Sequence, residues 1–399
     1  MHAILKAITL LLSLVAFSMT AEGIDQTSRP LWVTEKVMLI MGQDLESVRE
    51  WQASSCCRMP AGITTYLGFY HIDDKRDHFR GLGLDNSGQP HLTLADWGAG
   101  GSNAYLAAQE YPHAALVIGL SIAEADEKGG VKNIAAGMHD AKISKLAQFF
   151  KVIDKPVYLR IGYEFDGAWN AGYEQVENYK AAWRRIVDGL TAEGVTNINY
   201  VWQAGTSPVD DVIEGGQREA IADWYPGDDY VDWIGSSLFN RLDQSRPVKD
   251  GLVIPTSRSL QQEVLEFARA RKKPVMIAES APQGYDLKNL TYRNVSPLWD
   301  GEAGQDVRQL TAEQLWAEWF EPTFNFIDKN KDVIKAFAYI NANWDAQSMW
   351  GAPYAAGYWG DSRIQTTEAL LKKWLAATGQ PHFIHGSPTL FKQLKAGHK

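Results

Sequence analysis

One theme recurs eight times along the chain: a short apolar run followed by a segment with helical spacing. The runs are Lys36–Gly42, Gly62–Tyr70, Ala115–Ile122, Pro156–Glu164, Ile198–Gln203, Val231–Phe239, Pro274–Glu279 and Ile334–Asn341. Several are hydrophobic at nearly every position, as parallel strands covered on both faces must be. Between Tyr173 and Gly194, Val176, Tyr179, Trp183, Ile186 and Leu190 return every third or fourth residue. They lay one apolar stripe along a helix that Gly194 is suited to end. Further helices are expected over Ile134–Ile153, Leu260–Arg271, Thr311–Asp328 and Thr366–Ala377. Eight strand–helix units predict a closed α/β architecture, a (β/α)8 TIM barrel forming a single domain. No glycine-rich phosphate loop follows the first strand, which disfavours a dinucleotide-binding sheet.

The chain opens with Lys6 and an apolar stretch, Ala7–Phe17, and then small residues at Ser18, Thr20 and Ala21. This reads as a signal peptide over residues 1–21, too short for the ~20 apolar residues of a membrane span. Residues 22–399 would then form the catalytic barrel, secreted or periplasmic, ending in a tail over Gly379–Lys399. A net charge of −9 without a basic run argues against nucleic acid or an anionic membrane as partner. The cysteines, Cys56 and Cys57, are adjacent and form no disulfide framework. A monomer is expected, with no cofactor.

Barrel chemistry sits at the C-terminal ends of the strands. "PVYLRIGYEFDGAWN" (Pro156–Asn170) delivers Glu164 there from strand four, and "KKPVMIAES" (Lys272–Ser280) delivers Glu279 from strand seven. Carboxylates at these two positions can flank a bond lying across the mouth. Glycoside hydrolysis requires such a pair: one acid to protonate the leaving oxygen, one carboxylate to attack carbon or activate water. The acid must hold a raised pKa while its partner stays ionised.

These motifs resemble glycoside hydrolase family 26, the β-mannanase-like retaining glycosidases of clan A. The matching residues are Arg160, Glu164, Gly167 and Trp169 in "RIGYEFDGAW" and Glu279 in "PVMIAES". "WYPGDDYVDWIG" (Trp224–Gly235) and "WGDSRI" (Trp359–Ile364) also match. The resemblance implies Glu164 as acid/base and Glu279 as nucleophile of a double displacement, and a secreted endo-β-glycan hydrolase, mannanase-like in specificity. It also implies a histidine where this chain has Tyr163, and a tyrosine bonded to the nucleophile where it has Phe239. Those departures leave β-1,3-glucanase, β-1,3-xylanase and mixed-linkage glucanase as alternatives. A non-catalytic carbohydrate-binding barrel is a further one.

Around the glutamates, Arg160, Tyr163, Asp166, Trp169, Trp202, Asn240 and Trp344 are the expected polysaccharide-binding residues. Arg160 either tunes the carboxylates or fills the core as an ion pair. Trp344 resembles a platform on which an indole stacks against a sugar with its N–H free. Trp169, Trp202, Trp350 and Trp359 are platforms or core. Asp166 and Asn240 bind hydroxyls or cap loops. "HIDD" (His71–Asp74) and "MHD" (Met138–Asp140) have no partner at metal-ligand spacing, so no metal is expected. Asn289 and Asn294 head glycosylation sequons. Long loops after strands two (His71–His113) and seven (Ser280–Leu310) are expected to wall a cleft.

Overall fold

The computed structural model describes residues 30–54, 58–72, 81–85, 87–125, 127–207, 220–244, 255–295 and 304–396. The expected leader, Cys56, Cys57, Asp73 and Asp74 lie outside them. The eight expected strands form: β1 (Val37–Met41), β2 (Gly62–Gly68), β3 (Ala115–Ser121), β4 (Val157–Ile161), β5 (Ile198–Ala204), β6 (Trp233–Leu238), β7 (Val275–Ser280) and β8 (Ile334–Tyr339). Each pairs in parallel with the next in sequence, and β8 pairs with β1, so the sheet closes. The chain is a (β/α)8 barrel.

Alternation along each strand sorts its residues. Leu39, Ile63, Leu116, Leu159 and Ile277 point outward to the helix layer, where most of the apolar core lies. Met38, Val117, Tyr158, Val201, Trp233, Met276 and Ala336 point inward and fill the lower barrel. The floor is closed by the N-terminal segment: Trp32 N donates to Asn199 Oδ1 at 2.7 Å, and Tyr158 Oη donates to Trp32 O at 2.7 Å. The C-terminal tail joins it there. Its strand Phe383–Ile384 pairs with β1, and Val33 N bonds Leu394 O in the last helix. The tail therefore covers the end opposite the strand termini that carry Glu164 and Glu279.

The expected helix over 173–194 runs Val176–Ala192, burying Tyr179, Trp183, Ile186 and Leu190, with Gly194 in the left-handed region at φ 76°. The one expected over 134–153 is broken. Gly130–Ala135 and Asp140–Ile153 flank a turn in which Gly137 has φ 80°, a conformation that L side chains resist. Over 311–328, a capping box at Thr311 and Gln314 starts Ala312–Leu315, and a π turn at Trp316–Phe320 precedes Glu321–Lys329. Pro322 accounts for the π turn, because its ring lacks an N–H and collides with the carbonyl four residues back.

The loop after β2 carries a small hairpin (Ala95–Asp96 with Gly101–Ser102), and the loop after β7 a three-stranded sheet (Tyr285–Asp286, Thr291–Arg293, Val307–Gln309). Asn294 is buried, its side-chain oxygen accepting from Gln305 N and Asp306 N, so its sequon has no room for a glycan. Asn289 is exposed. No helix among the described residues is long and apolar enough to cross a membrane.

Candidate active site

Glu164 stands three residues beyond β4, at the end of a sharp turn rather than on the strand. Gly162 and Glu164 both adopt left-handed backbone, at φ 49° and 54°. For a glutamate this costs on the order of 1–3 kcal/mol, held only where the surroundings dictate it. Here Gly167 N (2.9 Å) and Asn170 Nδ2 (2.8 Å) both donate to the Glu164 carbonyl. Its side chain turns inward over the barrel and is 8 % exposed. Strand alternation would put Arg160 and Glu164, four residues apart, on one face, but the strand stops at Ile161 and the turn after it sets the direction of Glu164.

Glu279 reaches the same place by a different device. Simple alternation along β7 would send Ala278 inward and Glu279 outward. The β6–β7 register shifts by one residue there: Ser236 pairs with Ile277, but Ser237 pairs with Glu279. Such a bulge lets two successive side chains share a face. Ala278 lies in the inner core, while Glu279, 7 % exposed, accepts from Arg160 Nη1 and from Gln203 Nε2 at 3.2 Å.

Between the carboxylates runs an unbroken hydrogen-bond chain. Gln203 Nε2 also donates to Ser237 Oγ at 3.0 Å, and Ser237 Oγ donates to Glu164 Oε1 at 2.6 Å. Those links cap the separation of the bonded carboxylate oxygens at about 9 Å, so both carboxylates can reach one glycosidic bond. Burial, and then the charge of Glu279, push the Glu164 carboxyl well above the usual carboxylate range, and the Ser237 hydrogen bond opposes the shift.

Arg160 is fully buried beneath this chain. It donates to Glu279 and to Gln203 Oε1 (2.8 Å), with the Tyr66 and Tyr163 rings 5.0 and 5.2 Å from its guanidinium carbon. It therefore acts on Glu279 and lies out of a sugar's reach, so the binding role expected of it is corrected. A Cβ on Gly119 would stand 2.5 Å from the Tyr66 ring and 2.9 Å from Arg160 Nη2, so glycine leaves the room for both. Tyr163 is half-buried above Arg160, with its ring edge-on to Tyr66.

Other expected site residues divide. Trp169 is 48 % exposed on the loop after β4, its indole lying against Gly167, where an added Cβ would come within 2.5 Å of the ring. Asn240 is half-buried just past β6. Asp166 fastens the mouth, accepting from Gly205 N and Thr206 N. Trp202 is corrected outright: it points outward from β5 into the helix layer, stacked on Phe165 at 4.3 Å and packed by Tyr225 and Phe267. Trp344 is 2 % exposed, stacked on Trp359 at 4.6 Å, and its N–H is donated to Ser362 Oγ at 2.9 Å. It supports an aromatic wall with Phe239, Trp350 and Trp359 rather than presenting an open face. Phe239 packs edge-on against Trp359, and the Glu279 carboxylate is bonded by Arg160 and Gln203 instead of a tyrosine hydroxyl.

Gln203, Ser237 and Tyr66 are absent from the sequence-derived site. Their signal was present: each is a polar or hydroxyl-bearing residue near the C-terminal end of its strand. Among the described residues, no three His, Cys, Asp or Glu side chains gather as a metal ligand set.

A parallel barrel holding two buried carboxyls above its strand ends, one pushed toward its protonated form, is the construction of a barrel glycosidase. Comparison with known proteins identifies which kind. Residues 122–254 match the family described as "Glycosyl hydrolase family 26". A Vibrio protein named "Beta-1,3-xylanase TXYA" is 37% identical over 90% of this chain and 68% of its own length. An Alcaligenes "Beta-1,3-xylanase" is 35% identical over 96% of this chain and 71% of its own. Among solved structures, a Bacteroides ovatus GH26 β-mannanase superposes with TM-score 0.51 at 12% identity, covering 88% of this chain and 91% of that one. The chain belongs to glycosyl hydrolase family 26 and is a glycoside hydrolase.

Proposed function

We propose that this protein is a secreted, endo-acting β-1,3-xylanase that works by retaining double displacement. The carrying observation is the contrast in similarity: 37% and 35% identity to two β-1,3-xylanases across nearly the whole chain, against 12% to a mannanase of the same fold. The mannanase-like reading of the motifs yields to this one. Tyr163 and Phe239, the two departures from the mannanase-like pattern, stand at the mouth.

In the first step, Glu164 gives its proton to the glycosidic oxygen as that bond breaks. A Glu279 oxygen attacks the anomeric carbon and forms a glycosyl ester. Arg160 and Gln203 hold Glu279 for the attack and balance its charge. Once esterified, Glu279 is neutral, and one of the two main causes of the raised Glu164 pKa disappears. Glu164 is then the better base. It takes a proton from the water that attacks the anomeric carbon and releases Glu279. Trp169, with its exposed ring face, is placed to stack on a sugar beyond the cleaved bond.

The test is reducing-sugar release from β-1,3-xylan, galactomannan, glucomannan, laminarin and lichenan by wild type, Glu164→Ala and Glu279→Ala. Cleavage of β-1,3-xylan alone, lost in both variants, is expected. Cleavage of mannans but not β-1,3-xylan would return the specificity to mannanase. Release from none would favour the carbohydrate-binding barrel.

A further inference from the structure

Gln203 sits between the two glutamates, and its amide orientation is dictated by its neighbours. Arg160 Nη1 can only donate, so the amide atom 2.8 Å from it must be the oxygen. The amide nitrogen then faces Ser237 Oγ and Glu279 Oε1, and spends one proton on each. Ser237 Oγ thus accepts from Gln203, and its own single proton is directed to Glu164 Oε1. When Glu164 is the protonated acid, Oε1 is an acceptor. Its transferable proton therefore sits on Oε2.

The scaffold behind Ser237 holds its backbone in place. Gln261 Nε2, from the helix Ser257–Arg271, donates to the Ser237 carbonyl at 2.6 Å and to Thr206 Oγ1 at 2.9 Å. Thr206 Oγ1 also donates to the Ser237 carbonyl. Gln203 and Ser237 are both buried, so no water competes for the bonds.

We propose that Gln203 and Ser237 form a hydrogen-bond relay running one way from Arg160 to Glu164, with Glu279 accepting a branch from Gln203, which keeps the acid proton on the oxygen facing the leaving group. The relay rests on the assignment of Glu164 as acid/base. Both residues are positioning residues: neither needs to touch substrate. The groups around Glu164 are Glu279 and Asp166, which favour its protonated form, Arg160, which opposes it, the buried Tyr66 and Tyr173, and the half-buried Tyr163. Ser237 stabilises the ionised form, so removing its hydroxyl raises the Glu164 pKa further and frees the proton to sit on either oxygen.

The experiment compares wild type, Ser237→Ala and Ser237→Thr on β-1,3-xylan and on an aryl β-xylobioside whose leaving group departs without protonation. Ser237→Ala is expected to lower kcat on xylan about tenfold, a fraction of a general acid's usual contribution, and to leave the bond-breaking step on the aryl substrate near wild type. The alkaline limb of its kcat/KM profile moves to higher pH. Ser237→Thr, which keeps the hydroxyl, restores both. A carbon-13 titration of the Glu164 carboxyl reads the same pKa rise without turnover. If the alanine variant does not fold, Ser237→Cys, a weaker donor, is expected to shift the limb in the same direction. An unmoved limb, or equal losses on both substrates that threonine does not repair, would overturn the relay. No cleavage of any glycan by wild type would instead sink the Glu164 assignment, and the relay with it.

Discussion

Replacing Arg160 by methionine keeps the volume of its stem but deletes the cation beneath Glu279. The guanidinium is fully buried and makes two side-chain hydrogen bonds, to Glu279 and Gln203, under two tyrosine rings. Its loss leaves a buried carboxylate whose one remaining hydrogen bond among those described comes from Gln203. Breaking a buried ion pair in this way costs about 3–5 kcal/mol. The variant should still fold, because domains carry ~5–15 kcal/mol of stability, but with a much lower urea midpoint at unchanged slope. Glu279→Gln should cost less, since the new amide still offers Arg160 an acceptor and Gln203 still bonds it. With both charges gone, the double variant should be more stable than the two single costs predict. The expected coupling is about 1.5–3 kcal/mol, read from the four urea midpoints as a double-mutant cycle. Additivity within ~0.5 kcal/mol would refute the claim that Arg160 works through Glu279. A raised KM in Arg160→Met with unchanged midpoint would do the same, by showing direct contact with sugar.

Trp202→Ala should destabilise by about 3–5 kcal/mol in chemical denaturation, because it empties a ring stacked on Phe165. Its KM for polysaccharide should not move. Trp169→Ala should do the reverse, raising KM several-fold through loss of ~0.5–1.5 kcal/mol of stacking with little change in melting temperature. Glu164→Gln should be more stable than wild type at neutral pH. Because the folded pKa of Glu164 is raised, the wild type loses stability as pH climbs from the unfolded carboxyl value near ~4.3 through the folded one. The difference between variant and wild type should therefore vanish near pH ~4 and be largest above the folded pKa, which melting curves across pH 4–8 would show.

Much of the molecule was legible without coordinates. Apolar runs of strand length, separated by 3.6-residue periodicity, admit few solutions other than eight parallel strands wrapped by helices, and all eight appear where expected. Glu164 and Glu279 could be picked out as candidates because acids that follow such runs emerge on the reactive face. The stripe of Tyr179, Trp183, Ile186 and Leu190 specified its helix for the same local reason. These features depend on neighbours within a turn or a strand, and sequence spacing encodes them directly.

The aim of each side chain was another matter. Glu279 faces inward because β7 slips one residue against β6, and Glu164 because two left-handed residues turn the chain after β4. Register and turn are set by contacts between segments distant along the chain, and no count of alternating residues contains them. Trp202 and Trp344 are indistinguishable from Trp169 by composition, yet packing from other strands and loops encloses two and leaves one open. Gln203 and Ser237 became part of the site only when strands five and six brought them between the glutamates. The sequence by itself determined which elements exist and which acids reach the mouth. Tertiary structure decided which way they point and what holds them there, because hydrogen-bond direction and burial are properties of groups that meet only after folding.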